Sequence, residues 1–144
     1  MLTYPLIHPP LLAALASAGH GSRILIADGH FPCSTHANPA AAMIHLNLRP
    51  GLLTGDQVLE TLLDAVAIEH AAVMASDGAP VPAHDDYRTA LGEAVPLEAV
   101  ERFAFYDLAR AGDVAVVIAT GDQRQWSNLL LTIGVVGVTP RKDH

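Results

Sequence analysis

Residues 19–32 read GHGSRILIADGHFP, and this stretch decides the fold. Its centre, residues 23–27, is predicted to be a β-strand, because the apolar run at residues 24–27 stops at the turn-forming pair Asp28-Gly29. Three polar reactive side chains, His20, Asp28 and His30, flank the run at its two ends. Because ligands of open α/β sheets bind at the carboxyl ends of strands, the pattern places Asp28 at the mouth of a candidate site.

Helices and strands alternate along the rest of the chain. Pro9 and Pro10 suit a first helical turn and Gly19 suits a helix end, which predicts a helix over residues 11–18. The stretch TGDQ at residues 54–57 has the form of a capping box and predicts a helix up to residue 66. Further strands are predicted at residues 43–48, 71–75, 114–120 and 128–138.

The stretches between these elements complete the predicted fold. Turn-forming residues predict a loop over residues 76–84, and helical spacing predicts a turn at 87–91 and a helix at 103–109. Residues 97–102 fit either a strand or a helix. We therefore expect one α/β domain over residues 1–144, a layered sandwich in which helices pack on a mixed sheet of about six strands.

Composition narrows the classes of function. The net charge is −7 and the eight Lys and Arg residues are scattered, so the chain has no basic stripe for nucleic acid. Its apolar run at 128–138 is shorter than the roughly 20 residues of a membrane helix. The chain has 51% hydrophobic residues and 16% charged residues, which is more apolar surface than a small monomer readily buries. We therefore expect a homo-oligomer with buried apolar faces. The single cysteine, Cys33, is typical of a reducing compartment, so we expect a cytoplasmic protein.

His20 and Asp28 form the first candidate pair. His20 follows a predicted helix end, where the helix dipole favours a cation, and a nearby Asp28 would act in the same direction. A histidine in such a place can carry and donate a proton near neutral pH. In the alternative interpretation His20 caps the helix and Asp28 only forms the turn before Gly29.

A metal site is a second interpretation of the same region. Asp28, His30 and His36 could ligate a metal that activates water for hydrolysis. No fixed framework such as HExxH accompanies them, and eight histidines in 144 residues produce such spacings by chance. The histidines without informative neighbours are expected at the surface; they are His8, His70, His84 and His144.

Further candidates lie in the last third of the chain. Arg102, in ERFAFYDLA, could hold a ligand oxygen through paired hydrogen bonds. Trp126 and Asn128, in TGDQRQWSNLL, form a pairing common in sugar sites, because an indole covers C–H faces while an amide bonds hydroxyls. Alternatively, Trp126 is a hydrophobic plug or a subunit contact. No glycine-rich phosphate loop is present, so a nucleotide cofactor is not expected.

Three stretches together carry a resemblance. GHGSRILIADGHFP, RFAFYDLARAG and VVIATGDQRQWSNLLLTIGV resemble, in order and spacing, the ribose pyranase and fucose mutarotase family, and its fucose branch in particular. The resemblance implies a small α/β protein that forms a ring-like homo-oligomer such as a decamer. It also implies an isomerase that equilibrates forms of a free monosaccharide without a metal or an organic cofactor.

The same resemblance assigns roles to individual residues. His20 matches the family's proton donor, and Asp28 and Arg102 match ligands of the sugar. The triplet at residues 126–128, Trp126, Ser127 and Asn128, matches the segment that closes over the sugar. The family usually has Tyr at the position of Trp126, so a hydroxyl that could bond the sugar is missing here.

The sequence therefore predicts a mutarotase that interconverts anomers of a sugar such as L-fucose. Two alternatives remain open: the metal-dependent hydrolase built on Asp28, His30 and His36, and a non-catalytic sugar-binding accessory of transport.

Overall fold

A computed structural model of the chain describes residues 1–137, which fold around one sheet. The helices are α1 (Pro9–Ser17), α2 (Cys33–His36), α3 (Gly55–Leu63), α4 (Pro82–Leu91) and α5 (Arg102–Ala109). The strands are β1 (Arg23–Ala27), β2 (Ala42–His45), β3 (Ile68–Met74), β4 (Leu97–Val100), β5 (Val114–Ala119) and β6 (Leu129–Ile133). No helix within residues 1–137 is both long and apolar enough to cross a membrane.

The strands form one mixed sheet in the order β2-β5-β1-β6-β3-β4. β6 runs antiparallel to both of its neighbours, and the other pairings are parallel. Strands β1 to β5 therefore all point in one direction and end at the same side of the sheet, which we call the carboxyl edge. β6 begins at that edge. This arrangement confirms the predicted mixed sheet of six strands.

Helices cover both faces of the sheet, as the apolar strands require. On one face, Ile24 and Ile26 of β1 belong to a core with Leu59 of α3 and Tyr87 of α4. On the other face, Leu25 packs in a second core under α5. Because β1 is buried on both faces, its residues are nearly all apolar. The layered α/β sandwich is thus confirmed.

Local signals explain where the first helices begin. At α1 the His8 side chain accepts a hydrogen bond from the backbone N–H of Leu11 at 3.2 Å, and two prolines follow it. At α3 the predicted capping box is present, with the backbone N–H of Thr54 donating to Oε1 of Gln57 at 3.0 Å. Both helices begin near the predicted positions, but α3 ends at Leu63, three residues before the predicted end at residue 66.

Some predicted boundaries were wrong. The loop predicted over residues 76–84 ends early, because α4 begins at Pro82 and buries Ala83, Tyr87 and Leu91. Residues 97–102 divide between β4 and α5, whose first backbone N–H groups bond the Glu101 side chain. The strand predicted over 128–138 stops at Ile133, and residue 138 lies outside the described residues.

Candidate active site

Asp28 lies at the carboxyl edge, directly after β1, as predicted. The residue is 5% exposed, and its carboxylate accepts a hydrogen bond from the backbone N–H of His30 at 3.0 Å. Burial raises the pKa of Asp28, and the backbone N–H groups of His30 and Ser127 lower it in part. The Asp28 carboxyl therefore takes up a proton at a higher pH than an exposed aspartate does.

The segment at residues 126–128 crosses the same edge just before β6. Oδ1 of Asn128 accepts a hydrogen bond from the backbone N–H of Asp28 at 2.8 Å, which joins the two predicted site positions. The hydroxyl of Ser127 donates to the carbonyl of Arg124 at 2.7 Å and so serves the loop itself. Trp126 is half-buried and adopts a φ of 64°, the left-handed region that residues other than glycine seldom occupy.

Arg102 is the first residue of α5 and lies at the carboxyl edge. Only Glu101 separates it from the end of strand β4. Its guanidinium lies over the rings of Phe103 and Tyr106, at 5.5 and 5.6 Å from their centroids. Its Nε donates to the Tyr106 hydroxyl at 3.4 Å, because residues four apart share one helix face. Arg102 therefore brings Tyr106 into the site with it.

These elements enclose a cavity of about 320 Å³. The volume is at the lower end of the range for small-molecule sites. The cavity combines a buried carboxylate, a guanidinium, a phenol, an indole and a thioether. Its lining includes Asp28, His30, Met74, Arg102, Tyr106 and Trp126. Ser127 and Asn128 do not line it and contribute through the backbone contacts described above.

A second cavity of about 350 Å³ lies on the other side of His30, between the residues that follow β2 and β5. Its side chains include the exposed Asn47 and Arg49, and it lacks both Asp28 and Trp126. The smaller cavity therefore has the better set of groups for a polar ligand with apolar faces.

His20 lies elsewhere, and the predicted proximity of His20 to Asp28 does not occur within one chain. It precedes β1 whereas Asp28 follows it, so the two are separated by a strand about 17 Å long. The partner of His20 is Glu69 of β3, whose Oε2 lies 3.0 Å from Nε2 of the exposed imidazole. His20 lines an apolar groove of about 430 Å³ that includes Leu15 and Val66.

The remaining histidines also differ from their predictions. His36 packs against Tyr106, with 4.8 Å between the ring centroids and an interplanar angle of 55°. Within residues 1–137 no three His, Cys, Asp or Glu side chains come together as metal ligands, so the hydrolase alternative gains no support. His8 caps α1, His70 lies 3.4 Å from Glu98, and His84 bonds the Trp126 carbonyl. All three were expected at the surface and are partly buried. His144 lies outside the described residues.

Comparison with known proteins identifies the family. A family model described as the RbsD / FucU transport protein family matches residues 1–136. The chain belongs to the RbsD/FucU family. It is 34% identical to human fucose mutarotase, with 94% of this chain and 93% of that protein covered. It is 32% identical to L-fucose mutarotase of Glaesserella parasuis serovar 5 (strain SH0165), with 94% of each chain covered.

The solved structures agree with this placement in the RbsD/FucU family. The structure of Bacillus subtilis RbsD complexed with D-ribose superposes with a TM-score of 0.81 at 25% identity. The alignment covers 95% of this chain and 100% of that one. The predicted family and the predicted α/β fold are therefore confirmed.

Several residues in or near the candidate site, or beside His20, escaped the sequence analysis. Tyr106 could have been found, because it lies four residues after Arg102 on one helix face. Met74 is the last residue of β3, and such a terminal position is typical of a ligand contact in an open sheet. Glu69 and His84 carried no local signal, since each acts on a residue at least 42 positions away.

Proposed function

We propose that this protein is a mutarotase that interconverts the anomers of a free monosaccharide, with L-fucose as the first substrate to test. The single observation that carries the proposal is the cavity at the carboxyl edge, where Asp28, Arg102 and Trp126 meet. Membership of the RbsD/FucU family and the names of the fucose mutarotase relatives support the same reaction.

The chemistry needs only proton transfers and fixed hydrogen bonds. Opening a cyclic hemiacetal removes the proton of the anomeric hydroxyl and adds one to the ring oxygen, which breaks the bond between that oxygen and the anomeric carbon. The free aldehyde then turns about one bond and closes on its other face, with both proton transfers reversed. A positioned acid–base group contributes about 10²- to 10⁴-fold to such a reaction.

The residues of the cavity supply the positioning. The Asp28 carboxylate accepts a hydrogen bond from one sugar hydroxyl, and the Arg102 guanidinium donates a hydrogen bond to a second sugar oxygen. Both are possible because the two groups line the same cavity. The indole of Trp126 and the side chain of Met74 provide an apolar wall. Such a wall suits the C–H face of a sugar and the methyl group of a 6-deoxy sugar such as fucose. Asn128 fixes Asp28 through the backbone.

His20 completes this site only when a neighbouring copy of the chain supplies it. We propose a ring-like homo-oligomer, such as a decamer, in which the groove around His20 faces the cavity of the next subunit. Two exposed apolar features support a contact of this kind: Phe103, which is 67% exposed and adjoins Arg102, and the apolar side chains around His20. We also propose a cytoplasmic location, which the single cysteine Cys33 supports.

Saturation-transfer NMR on L-fucose, D-ribose and D-galactose tests the proposal. We expect the protein to speed exchange between the anomer signals of at least one of these sugars. His20→Ala should reduce the rate about 100-fold or more, as expected for loss of an acid–base group. His70→Ala is the matched control, because His70 is also partly exposed and paired with a glutamate. It should keep the full rate.

Other outcomes decide between the alternatives. If His30→Ala abolishes exchange while His20→Ala does not, the acid–base group is His30, which lines the cavity of its own chain. If no sugar shows faster exchange but one still binds, the protein is the non-catalytic sugar-binding accessory. A loss of activity with a chelator would instead support the metal-dependent hydrolase.

A further inference from the structure

The carbonyl groups of Trp126 and Ser127 are both held by helix α4. Nε2 of His84 lies 2.6 Å from the Trp126 carbonyl oxygen, and the hydroxyl of Tyr87 lies 2.6 Å from the Ser127 carbonyl oxygen. His84 and Tyr87 are three residues apart and therefore share one face of α4. Two consecutive carbonyls of the loop are thus fixed by two neighbouring side chains of a single helix.

Both contacts have a defined direction. A carbonyl oxygen only accepts, so Nε2 of His84 must carry the hydrogen. Burial lowers the pKa of His84, which favours the neutral ring, and the contact with the carbonyl then places its hydrogen at Nε2. Burial also raises the pKa of Tyr87, with the nearby Asp122 carboxylate acting in the same direction, so its hydroxyl stays protonated and donates. Neither hydrogen bond depends on a net charge.

The loop is also held from its other sides. The Asn128 side chain bonds the backbone of Asp28 at 2.8 Å, and Arg124 donates to Asp86 of α4 at 3.2 Å. Between these anchors stands Trp126, whose φ of 64° is the only positive φ among non-glycine residues of the described chain. A residue other than glycine keeps such a conformation only when its surroundings impose it.

We propose that His84 and Tyr87 are positioning residues that impose the left-handed conformation of Trp126 and thereby place its indole on the wall of the sugar cavity. Neither side chain lines the cavity, since both act through the backbone of residues 126–127. The identity of the ligand rests on the function proposed above. The placement of the indole does not.

Trp126 is the only tryptophan of the chain, so its fluorescence reports directly on the loop. The variants are His84→Phe and Tyr87→Phe, which remove the donors, and His84→Gln, whose amide N–H can bond the same carbonyl. Thr89→Ala, at an exposed position of α4, is the control on the same helix. Emission and acrylamide quenching of Trp126 are measured on each folded variant, together with KM and kcat for L-fucose from anomer exchange.

We expect His84→Phe and Tyr87→Phe to increase quenching of Trp126 and to raise KM about three- to tenfold, the range that loss of one hydrogen bond produces. The value of kcat should change less than about twofold, because the reacting groups stay in place. His84→Gln and Thr89→Ala should match the parent protein. A loss of thermal stability with unchanged quenching and KM would overturn the proposal, since it would show a merely structural role.

Failure of the proposed function gives a different result. If the parent protein does not speed anomer exchange of any sugar, the mutarotase assignment fails. The quenching comparison still tests the placement of the indole, and unchanged quenching in both donor-removing variants refutes it. If His84→Phe does not fold, Tyr87→Phe decides alone, because it removes a single oxygen from a fully buried side chain.

Discussion

At the residue scale, Asp28 lines the candidate site, and the burial of its ionised carboxylate reduces the stability of the fold. Burial raises the pKa of its carboxyl in the folded protein above the value in the unfolded chain, which is about 3.9. The folded state therefore binds a proton more readily, and the stability from this site is fully present only below that pH. It is lost as the pH rises through the folded pKa, where the ionised carboxylate must stay buried.

Asp28→Asn should therefore be more stable than the parent protein at pH 7, and the difference should shrink as the pH falls towards 3. The same change should weaken sugar binding by about tenfold or more, because hydrogen bonds to a charged group are lost. Urea denaturation across this pH range measures the first effect. Asp77→Asn, in an exposed loop, is the control and should show no such trend. A variant less stable than the parent, with a deficit that grows towards neutral pH, would contradict the assignment.

At the element scale, Arg124 joins the β5–β6 loop to two helices. Its guanidinium donates to Asp122 of the loop at 2.7 Å, to Asp56 of α3 at 2.6 Å and to Asp86 of α4 at 3.2 Å. The Asp122 carboxylate also accepts a hydrogen bond from the backbone N–H of Gly55, the first residue of α3, at 2.8 Å. Burial acts to raise the pKa of Asp122, but the hydrogen bonds from Arg124 and Gly55 outweigh it and lower that pKa.

Arg124→Gln should destabilise the protein by about 2 to 3 kcal/mol, below the range for fully buried pairs because the Arg124 side chain is one-third exposed. A lowered pKa stabilises the fold above the unfolded value of about 3.9, and this contribution is lost as the pH falls through the folded pKa. The difference between parent and variant should therefore be present at pH 7 and shrink below pH 4.

Denaturant unfolding at both pH values measures this difference. Arg88→Gln is the control, since its pair with Asp85 is exposed and such pairs contribute less than about 1 kcal/mol. A deficit of Arg124→Gln that stays constant down to pH 3 would show that the ion pairs do not cause it.

At the scale of the whole molecule, the proposed site residues lie at two opposite edges of one sheet. His20 and its partner Glu69 lie at the edge where β1 and β3 begin, and Asp28 and Arg102 lie at the carboxyl edge. No side-chain movement spans a strand of about 17 Å. A site that uses both groups must therefore combine two copies of the chain.

Mixed oligomers test this division. At a low concentration of sugar, His20→Ala and Asp28→Asn should each lose about tenfold or more of the activity. Random co-assembly of the two should restore about a quarter of the sites, because half the donors and half the acceptors are intact. Anomer exchange of L-fucose measures the recovery. Arg102→Gln mixed with Asp28→Asn is the control and should recover nothing, since both changes lie in the same cavity. A mixture no more active than its components would place the whole site within one chain.

How far the sequence predicts this molecule depends on the distance over which each signal acts. The strand at residues 23–27 and the capping box at Thr54 were predicted correctly, since each depends on neighbours within a few positions. The start of α4 was missed because a proline after a loop of turn-forming residues signals a turn and a first helical turn equally well. The grouping of Asp28, Arg102 and Trp126 at one cavity was predicted only through the family resemblance.

The amino-acid sequence by itself determined the layered α/β fold, the family and the set of reactive side chains, because apolar periodicity, helix caps and motif spacing are local properties. Only the tertiary structure decided that His20 faces Glu69 instead of Asp28, and that His84 and Tyr87 hold the Trp126 loop. These contacts join residues 40 to 49 positions apart, and the order and direction of the strands bring them together.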